Sequence, residues 1–165
     1  MNLVTYTLAE RLGTTLLQLN AMCVTAESCT GGGIAKAITE IPGSSQWFER
    51  AFITYSNRAK HEMLGVPEAM LSEVGAVSKE VVCAMATGAL EKSPADYSVA
   101  ISGIAGPDGG SPLKPVGLVW MAWAARTTGV LAARSFIFSG DRHAIREQAI
   151  EQALSEWLDL LPQHH

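Results

Sequence analysis

The chain has 165 residues, a net charge of −4 and a hydrophobic content of 48%, which predict a single folded domain spanning residues 1–165. The negative charge argues against non-specific nucleic-acid binding, because such binding needs lysine and arginine to neutralise phosphates. No apolar run reaches the roughly 18 residues of a membrane helix, and residues 1–5 lack the features of a signal peptide, so no membrane partner and a cytoplasmic location are expected.

Helix and strand signals alternate through the first two-thirds of the chain, and a hairpin and a final helix follow. Helices are predicted where apolar residues recur with helical spacing, and strands where short apolar runs are bounded by turns. In chain order, the predicted elements are a helix over 3–19, a strand over 22–26, a helix over 31–39, a strand over 51–55, helices over 57–64 and 67–74, a helix after Ser78, strands over 97–104, 116–124 and 130–138, and a helix after 141. This order predicts an α/β fold, a three-layer α/β/α sandwich with a mixed, mostly parallel sheet.

Cysteine and histidine residues give no sign of a metal site. Cys23, Cys29 and Cys83 lack metal-ligand spacing and fit reduced thiols. The four histidines do not cluster, and two of them, His164 and His165, end the chain. We therefore expect no metal and no cofactor.

The segment AESCTGG (26–32) lies between the first predicted strand and the next helix. Ligands bind at such strand ends in open α/β sheets, and free amides at a helix start favour anions. Ser28 could be a nucleophile, with Thr30, Gly31 and Gly32 beside the substrate. Alternatively, Ser28 and Thr30 only cap the helix, which the local spacing favours.

Two neighbours of Ser28 need separate interpretation. Cys29 is a rival nucleophile, but strand alternation turns it away from the face that holds Ser28, toward the core. Glu27 could polarise a hydroxyl, orient a lysine or bind a substrate sugar. It could equally be a surface acid at a helix start, where the helix dipole favours it.

The segment TYSNRAK (54–60) follows the second predicted strand. Lys60 could be a general base, provided that burial or nearby positive charge lowers its pKa and leaves it neutral. A Ser28–Lys60 pair would then need no histidine. Taken alone, Lys60 is more simply a solvated helix lysine. Tyr55 could donate a hydrogen bond to substrate or pack as a half-buried aromatic residue.

The segment SGIAGPDGG (102–110) is rich in glycine at the exit of a predicted strand. Backbone amides in such a run can bind an anion. The last four residues are turn formers, but the small residues before them indicate a ligand that packs closely. The candidates for substrate binding here are Ser102, Gly103, Ala105 and Gly106.

The segment SGDR (139–142) places an arginine at a helix start. A cation there is unfavourable unless an anion is also present. We therefore predict that Arg142 binds a phosphate, a role that suits the bidentate guanidinium. The alternative is a salt bridge from Arg142 to Asp141 or Glu147.

Six motifs occur in a fixed order along the chain: AESCTGG, TYSNRAK, GAVS, SGIAGPDGG, KPVG and SGDR. Together, over about residues 8–157, they resemble the signature of the CinA C-terminal domain family. For a stand-alone member, the resemblance implies metal-independent hydrolysis of the nicotinamide mononucleotide carboxamide to nicotinate mononucleotide and ammonia. The serine, tyrosine and lysine of the family pattern match Ser28, Tyr55 and Lys60.

The resemblance also implies a mechanism and partners. Lys60 would deprotonate Ser28, amides near 30–31 or 103–106 would hold the oxyanion, and Arg142 would bind the 5′-phosphate of a small nucleotide substrate. The family tends toward homo-oligomers, and the apolar strand over 116–124 could lie inside the sheet or at a subunit contact. Two alternatives remain: a non-catalytic nucleotide-binding module, and an amidase for another phosphorylated amide.

Overall fold

A five-stranded sheet forms the centre of the computed structural model, which describes residues 2–163. The histidine pair at the end of the chain, His164 and His165, lies outside the described residues. In chain order, the strands are β1 (Cys23–Glu27), β2 (Phe48–Ile53), β3 (Tyr97–Gly103), β4 (Leu118–Ala125) and β5 (Gly129–Ile137).

The strand order in the sheet is β2-β1-β3-β4-β5. β1 pairs in parallel with β2 and β3, whereas β4 is antiparallel to β3 and β5. Four strands therefore run in one direction and β4 runs in the other. The predicted mixed sheet is confirmed.

Helices cover both faces of the sheet. They are α1 (Leu3–Gln18), α2 (Gly33–Thr39), α3 (Asn57–Leu64), α4 (Glu68–Val74), α5 (Lys79–Glu91) and α6 (Arg142–Leu160). One core joins α1, α2 and α6 to the sheet, with Leu12, Ile38 and Trp157 among its buried side chains. A second core joins α3, α4 and α5 to the other face, with Leu64 and Met85 at its centre. The predicted three layers are confirmed.

Local capping signals set the bounds of the helices beside the sheet ends. The Ser56 hydroxyl accepts a hydrogen bond from the Ala59 amide at 3.0 Å, and Gly65 ends the same helix with a φ of 72°. The Ser78 hydroxyl caps α5 through the Val81 amide. Both caps are predicted by the sequence, and both are confirmed.

The start of β2 differs from the prediction, and the position of β4 decides between the two alternatives left open for it. β2 begins at Phe48 instead of residue 51, because it is an edge strand, where the ion-paired Glu49 and Arg50 are tolerated. The apolar strand β4 lies inside the sheet, and Trp123 on it is fully buried. The homo-oligomer stays a prediction.

Within residues 2–163, no helix is long and apolar enough to cross a membrane.

The topology creates a crevice at the end of β1. From β1 the chain passes through α2 to β2 on one side, and then returns through α3, α4 and α5 to β3 on the other side. α2 lies on one face of the sheet, and α3, α4 and α5 lie on the other. The two connections therefore diverge at the carboxyl end of β1, where open α/β sheets bind ligands. Because β4 is antiparallel, the β3–β4 loop lies at the same edge.

Candidate active site

A cavity of about 280 Å³ lies at the carboxyl ends of β1, β2 and β3. It brings together segments that are far apart in the sequence. Among the residues predicted from the sequence, the cavity is lined by Ser28, Tyr55, Lys60, Ser102, Gly103, Ala105, Gly106 and Arg142.

Ser28 and Lys60 are in direct contact at the buried end of this cavity. Lys60 Nζ lies 3.0 Å from Ser28 Oγ, and the two side chains are 1% and 7% exposed. Lys60 Nζ also contacts the backbone oxygens of Thr54 and Tyr55, both at 3.1 Å. The cap at Ser56 starts α3 directly after β2, so that Lys60 in its first turns reaches back to the end of β1. Burial excludes the interpretation of Lys60 as a solvated lysine.

The surroundings of Lys60 favour its neutral form. Burial lowers the pKa of Lys60, and no acidic side chain of residues 2–163 forms a salt bridge with it. A neutral amine has two N–H donors and one lone pair. Three acceptors surround Lys60 Nζ: two carbonyls and Ser28 Oγ. In the neutral amine the carbonyls can take both N–H donors, so that the lone pair faces Ser28 Oγ. The pair is therefore arranged for proton transfer from serine to lysine.

Ser28 does not cap a helix in this structure. Helix α2 begins after Gly32, which makes no side-chain cap. The Glu27 carboxylate instead accepts hydrogen bonds from the Ile34 and Ala35 amides at 2.9 and 3.0 Å. The capping alternative for Ser28 is thereby excluded, and its hydroxyl is left to Lys60 and the Tyr55 carbonyl.

Four residues predicted to touch substrate lie away from the cavity lining. Glu27 is fully buried and also accepts hydrogen bonds from the hydroxyls of Thr25 and Thr30, at 3.1 and 2.7 Å. It is therefore neither a surface acid nor a ligand of Lys60. The Thr30 side chain turns inward to Glu27 instead of returning to the cleft. Gly31 and Gly32 adopt left-handed backbone conformations in the turn below. These positions do not support direct substrate contact by the side chains of Glu27 and Thr30, or by Gly31 and Gly32.

Cys29 is a poor candidate nucleophile despite its place beside Ser28. It lines the cavity but packs into the core on the α1 side of the sheet, as strand alternation predicts. Burial, with a further contribution from the nearby Glu27 carboxylate, raises the pKa of Cys29 to about 12. The thiol is therefore protonated near neutral pH, and the thiolate is the reactive form.

The end of β3 and the β3–β4 loop present small polar groups to the cavity. Ser102 is 1% exposed, and its hydroxyl has no hydrogen-bond partner within the described part of the chain. The Ala105 and Gly106 amides likewise have no backbone acceptor there. A Cβ on Gly106, whose φ is +77°, would lie 2.5 Å from Val116. Glycine at 106 thus lets the loop pack closely and leaves its amides for a ligand.

Arg142 spans the rim of the cavity. It donates to the Tyr55 hydroxyl at 2.9 Å and to the Gly106 carbonyl at 2.8 Å. Neither Asp141 nor Glu147 forms the alternative salt bridge with it, and Asp141 instead caps α6 through the Ala144 amide. The guanidinium is exposed and faces the site, which leaves it available to an anion.

Some residues at the site were missed by sequence reasoning. Besides Cys29, which the sequence indicates as a rival nucleophile, the additional lining residues are Asn57, Ala76, Val77, Ile104, Asp108 and Gly109. Most of them lie inside the motifs quoted above, so treating every residue of those motifs as a candidate would have identified them. Arg146 was also missed. It contacts the backbone oxygens of Cys29 and Thr30. A contact to backbone oxygens does not require a particular residue type at either position, so the sequence gives no signal for it.

The part of the chain that the structure describes contains no group of three or more His, Cys, Asp or Glu side chains able to hold a metal ion.

Comparisons with known proteins identify the family. The profile described as CinA C-terminal domain matches residues 5–161. The nicotinamide-nucleotide amidohydrolase PncC of Pseudomonas putida is 56% identical over 154 residues, covering 93% of this chain and 95% of that protein. The protein of the same name from Escherichia coli K12 is 58% identical over 148 residues, covering 89% and 88%.

A solved structure shares the whole fold. The competence/damage inducible protein CihA from Agrobacterium tumefaciens matches with a TM-score of 0.93 and 45% identity, covering 97% of this chain and 99% of that one. With the family profile and the relatives above, this match leads to one conclusion: the chain belongs to the CinA C-terminal domain family.

Proposed function

We propose that this protein is an amidohydrolase that converts nicotinamide mononucleotide to nicotinate mononucleotide and ammonia, in the recycling of pyridine nucleotides. The observation that carries the proposal is the buried Lys60 amine 3.0 Å from Ser28 Oγ at the closed end of a cavity. The names of the relatives with more than 50% identity support the substrate.

The reaction begins with proton transfer. Neutral Lys60 accepts the Ser28 proton while Oγ attacks the carboxamide carbon, which forms a C–O bond and places negative charge on the carbonyl oxygen. The cationic pyridinium ring withdraws electrons and favours this attack. Protonated Lys60 then donates to the departing nitrogen, the C–N bond breaks, and ammonia leaves an acyl-serine. Lys60 next activates a water that hydrolyses this ester.

The oxyanion needs donors that are already in place. In the described chain, the amides of Cys29 and Thr30, directly after Ser28, have no backbone acceptor. The Ala105 and Gly106 amides, at the β3–β4 loop, also have no backbone acceptor in the described chain. These two sets of amides are the candidate donors to the carboxamide oxygen once its carbon is beside Ser28 Oγ.

The rim of the cavity supplies the rest of the recognition. Arg142 binds the 5′-phosphate, while the Asp108 carboxylate and the Asn57 amide offer hydrogen-bonding groups to the ribose. The free cysteines Cys23 and Cys29 fit a reducing compartment, and we place the reaction in the cytoplasm. We treat the chain as one amidase domain.

Release of ammonia from nicotinamide mononucleotide, measured in the presence of a chelator, tests this proposal. Ser28→Ala and Lys60→Ala should each lower kcat by at least about 10³-fold. The matched controls are Ser135→Ala and Lys92→Ala at exposed positions away from the cavity, and both should retain normal turnover. Ligand-dependent changes in Tm would show that the Ser28→Ala protein still folds and binds.

Two outcomes contradict the proposal. If folded wild-type protein binds nicotinamide mononucleotide but releases no ammonia, the site is a binding module or acts on a different amide. If Ser28→Ala keeps its activity and Cys29→Ala loses it, the nucleophile has been assigned incorrectly.

A further inference from the structure

Arg146 on α6 binds the backbone of the turn that follows Ser28. Its Nε donates to the Cys29 carbonyl at 3.0 Å, and its Nη2 donates to the Thr30 carbonyl at 3.2 Å. The side chain is half-buried, and within residues 2–163 it has no acidic partner. Its charge therefore acts on two successive peptide groups instead of a carboxylate.

The geometry of the peptide bond relates these contacts to the free amides. In a trans peptide, the C=O and N–H groups point in opposite directions. The bond from Arg146 to the Cys29 carbonyl thus directs the Thr30 N–H away from the guanidinium. The Ser28 carbonyl accepts a hydrogen bond from the Gly31 amide at 2.9 Å. The Cys29 N–H belongs to the same peptide group and therefore points away from the Gly31 amide.

Both amides whose directions are fixed in this manner lack a backbone acceptor in the described chain. A cation that binds a carbonyl also polarises the N–H at the other end of the same peptide group, because hydrogen bonds in a chain reinforce one another. Arg146 thus both orients the Thr30 amide and strengthens it as a donor.

Gly31 provides the space for this contact. Its φ is +59°, and a Cβ built there would lie 3.3 Å from Arg146 Nη2. The sequence predicts substrate contact for Gly31, whereas the structure places Arg146 against it.

Arg146 lies one helical turn after Arg142, so that one face of α6 contacts both the rim of the cavity and the backbone of the Cys29–Gly31 turn. Arg142 contacts Tyr55 and Gly106 at the rim. Arg146 is not part of the cavity lining, and any effect on the reaction must therefore pass through the turn.

We propose that Arg146 is a positioning residue, which holds the Cys29–Gly31 turn so that its free amides can bind the oxyanion formed by attack of Ser28. The inference rests on the proposed amidase function.

Arg126 offers a matched control, because it performs the same task elsewhere. Its guanidinium donates to the carbonyls of Leu90, Ser93 and Ala95, outside the cavity lining. Arg146→Met should lower kcat for nicotinamide mononucleotide about 100-fold and change KM less than about threefold. Arg126→Met should lower Tm but leave kcat within about twofold of wild type.

Rescue experiments distinguish positioning from simple loss of folding. Arg146→Lys keeps the charge but not the two-carbonyl contact, and should recover only part of kcat. Millimolar guanidinium added to Arg146→Ala should restore activity, and should have no such effect on wild type.

A second probe separates this inference from the proposed substrate. Phenylmethanesulfonyl fluoride reacts with an activated serine: the Ser28 Oγ–S bond forms, the S–F bond breaks, fluoride leaves, and Lys60 takes the proton. Its sulfonyl oxygen also develops negative charge. The rate of Ser28 modification should fall in Arg146→Met and stay unchanged in Arg126→Met.

The outcomes are distinct. Slower modification in Arg146→Met supports the inference even if wild type does not hydrolyse nicotinamide mononucleotide, in which case only the proposed substrate fails. Equal modification rates and equal kcat in the two arginine variants would overturn it. A higher KM with unchanged kcat would also overturn it, because Arg146 would then contribute to substrate binding.

Discussion

The end of β1 and the first turns of α3 each bury one ionisable side chain, Glu27 and Lys60, with 0% and 1% of their surfaces exposed. The two have opposite surroundings. Glu27 accepts four hydrogen bonds, two from hydroxyls and two from amides at the start of α2. Lys60 has two carbonyls and one serine hydroxyl, and in the described chain no carboxylate pairs with it.

The comparison shows that the partners of a buried charge decide its role more than burial does. A buried carboxylate that accepts four hydrogen bonds has both oxygens satisfied and fixes the local structure. An amine that is buried without a counter-charge is destabilised as a cation, and so remains able to take a proton. Under the proposed mechanism, Glu27 holds the turn after Ser28, and Lys60 is the reactive group beside it.

Lys60→Met removes the reactive partner and should have the largest effect. We expect kcat for ammonia release to fall about 10⁴-fold, since the general base is lost. We also expect stability to rise by about 1 kcal/mol, because an uncompensated buried amine is replaced by an apolar side chain of similar length. Denaturant unfolding at pH 7 measures the second effect. Lys60→Arg is the comparison that keeps the charge, and an active Lys60→Met protein would contradict the assignment.

The pH dependence of the wild type sharpens the same point. Because only neutral Lys60 accepts a proton, kcat/KM should rise about tenfold per pH unit at low pH and level off above the Lys60 pKa. Burial places that midpoint below the ordinary lysine value of 10.5. A profile that falls with pH would assign a different base.

Folding stability should follow pH in the same direction. Between the lowered native pKa of Lys60 and its unfolded value, the unfolded chain binds more protons. The free energy of unfolding contributed by this group therefore rises with pH across that window. This contribution should be absent in Lys60→Met.

Glu27→Gln tests the structural member of the pair. The amide group turns one acceptor oxygen into a donor that faces another buried donor, so we expect about 2 kcal/mol of destabilisation. With the turn loosened, kcat should fall about tenfold. Glu40→Gln, an exposed position at the opposite end of α2, should leave Tm and kcat unchanged. If Glu27→Gln raised KM alone, Glu27 would be a substrate ligand after all.

Cys29→Ala should have the smallest effect. With a pKa of about 12 the thiol is protonated during turnover, so kcat/KM should stay within about threefold of wild type. The lost packing should lower stability by about 1 kcal/mol. Ammonia release and thermal unfolding, compared with the half-buried Cys83→Ala, measure both quantities.

Much of the fold could be predicted because its signals are local. The caps at Ser56 and Ser78 and the apolar face of α5 identify helices in any context, and the order of elements gives the layers. The start of β2 at Phe48 was missed, since an edge strand tolerates charged residues that conceal its pattern. The position of β4 depends on pairing partners, which a single strand does not reveal.

For the site, residue types indicated the chemistry, but contacts across the chain decided the roles. Nothing local shows that Glu27 turns inward to the α2 amides, or that Thr30 follows it. Arg146 is 117 residues from Cys29 in the chain and binds only its backbone oxygen. Such a contact can be formed with any residue type at position 29, and sequence patterns therefore cannot report it.

The cavity changes character along its length: Tyr55 at the rim is 59% exposed, whereas Lys60 at the base is 1% exposed. Mobile ions screen exposed charges strongly and buried ones weakly. Under our assignment, added salt therefore weakens the hold of Arg142 on a phosphate and leaves the serine–lysine step nearly untouched. On this assignment, capture of the nucleotide depends on ionic strength far more than its conversion does.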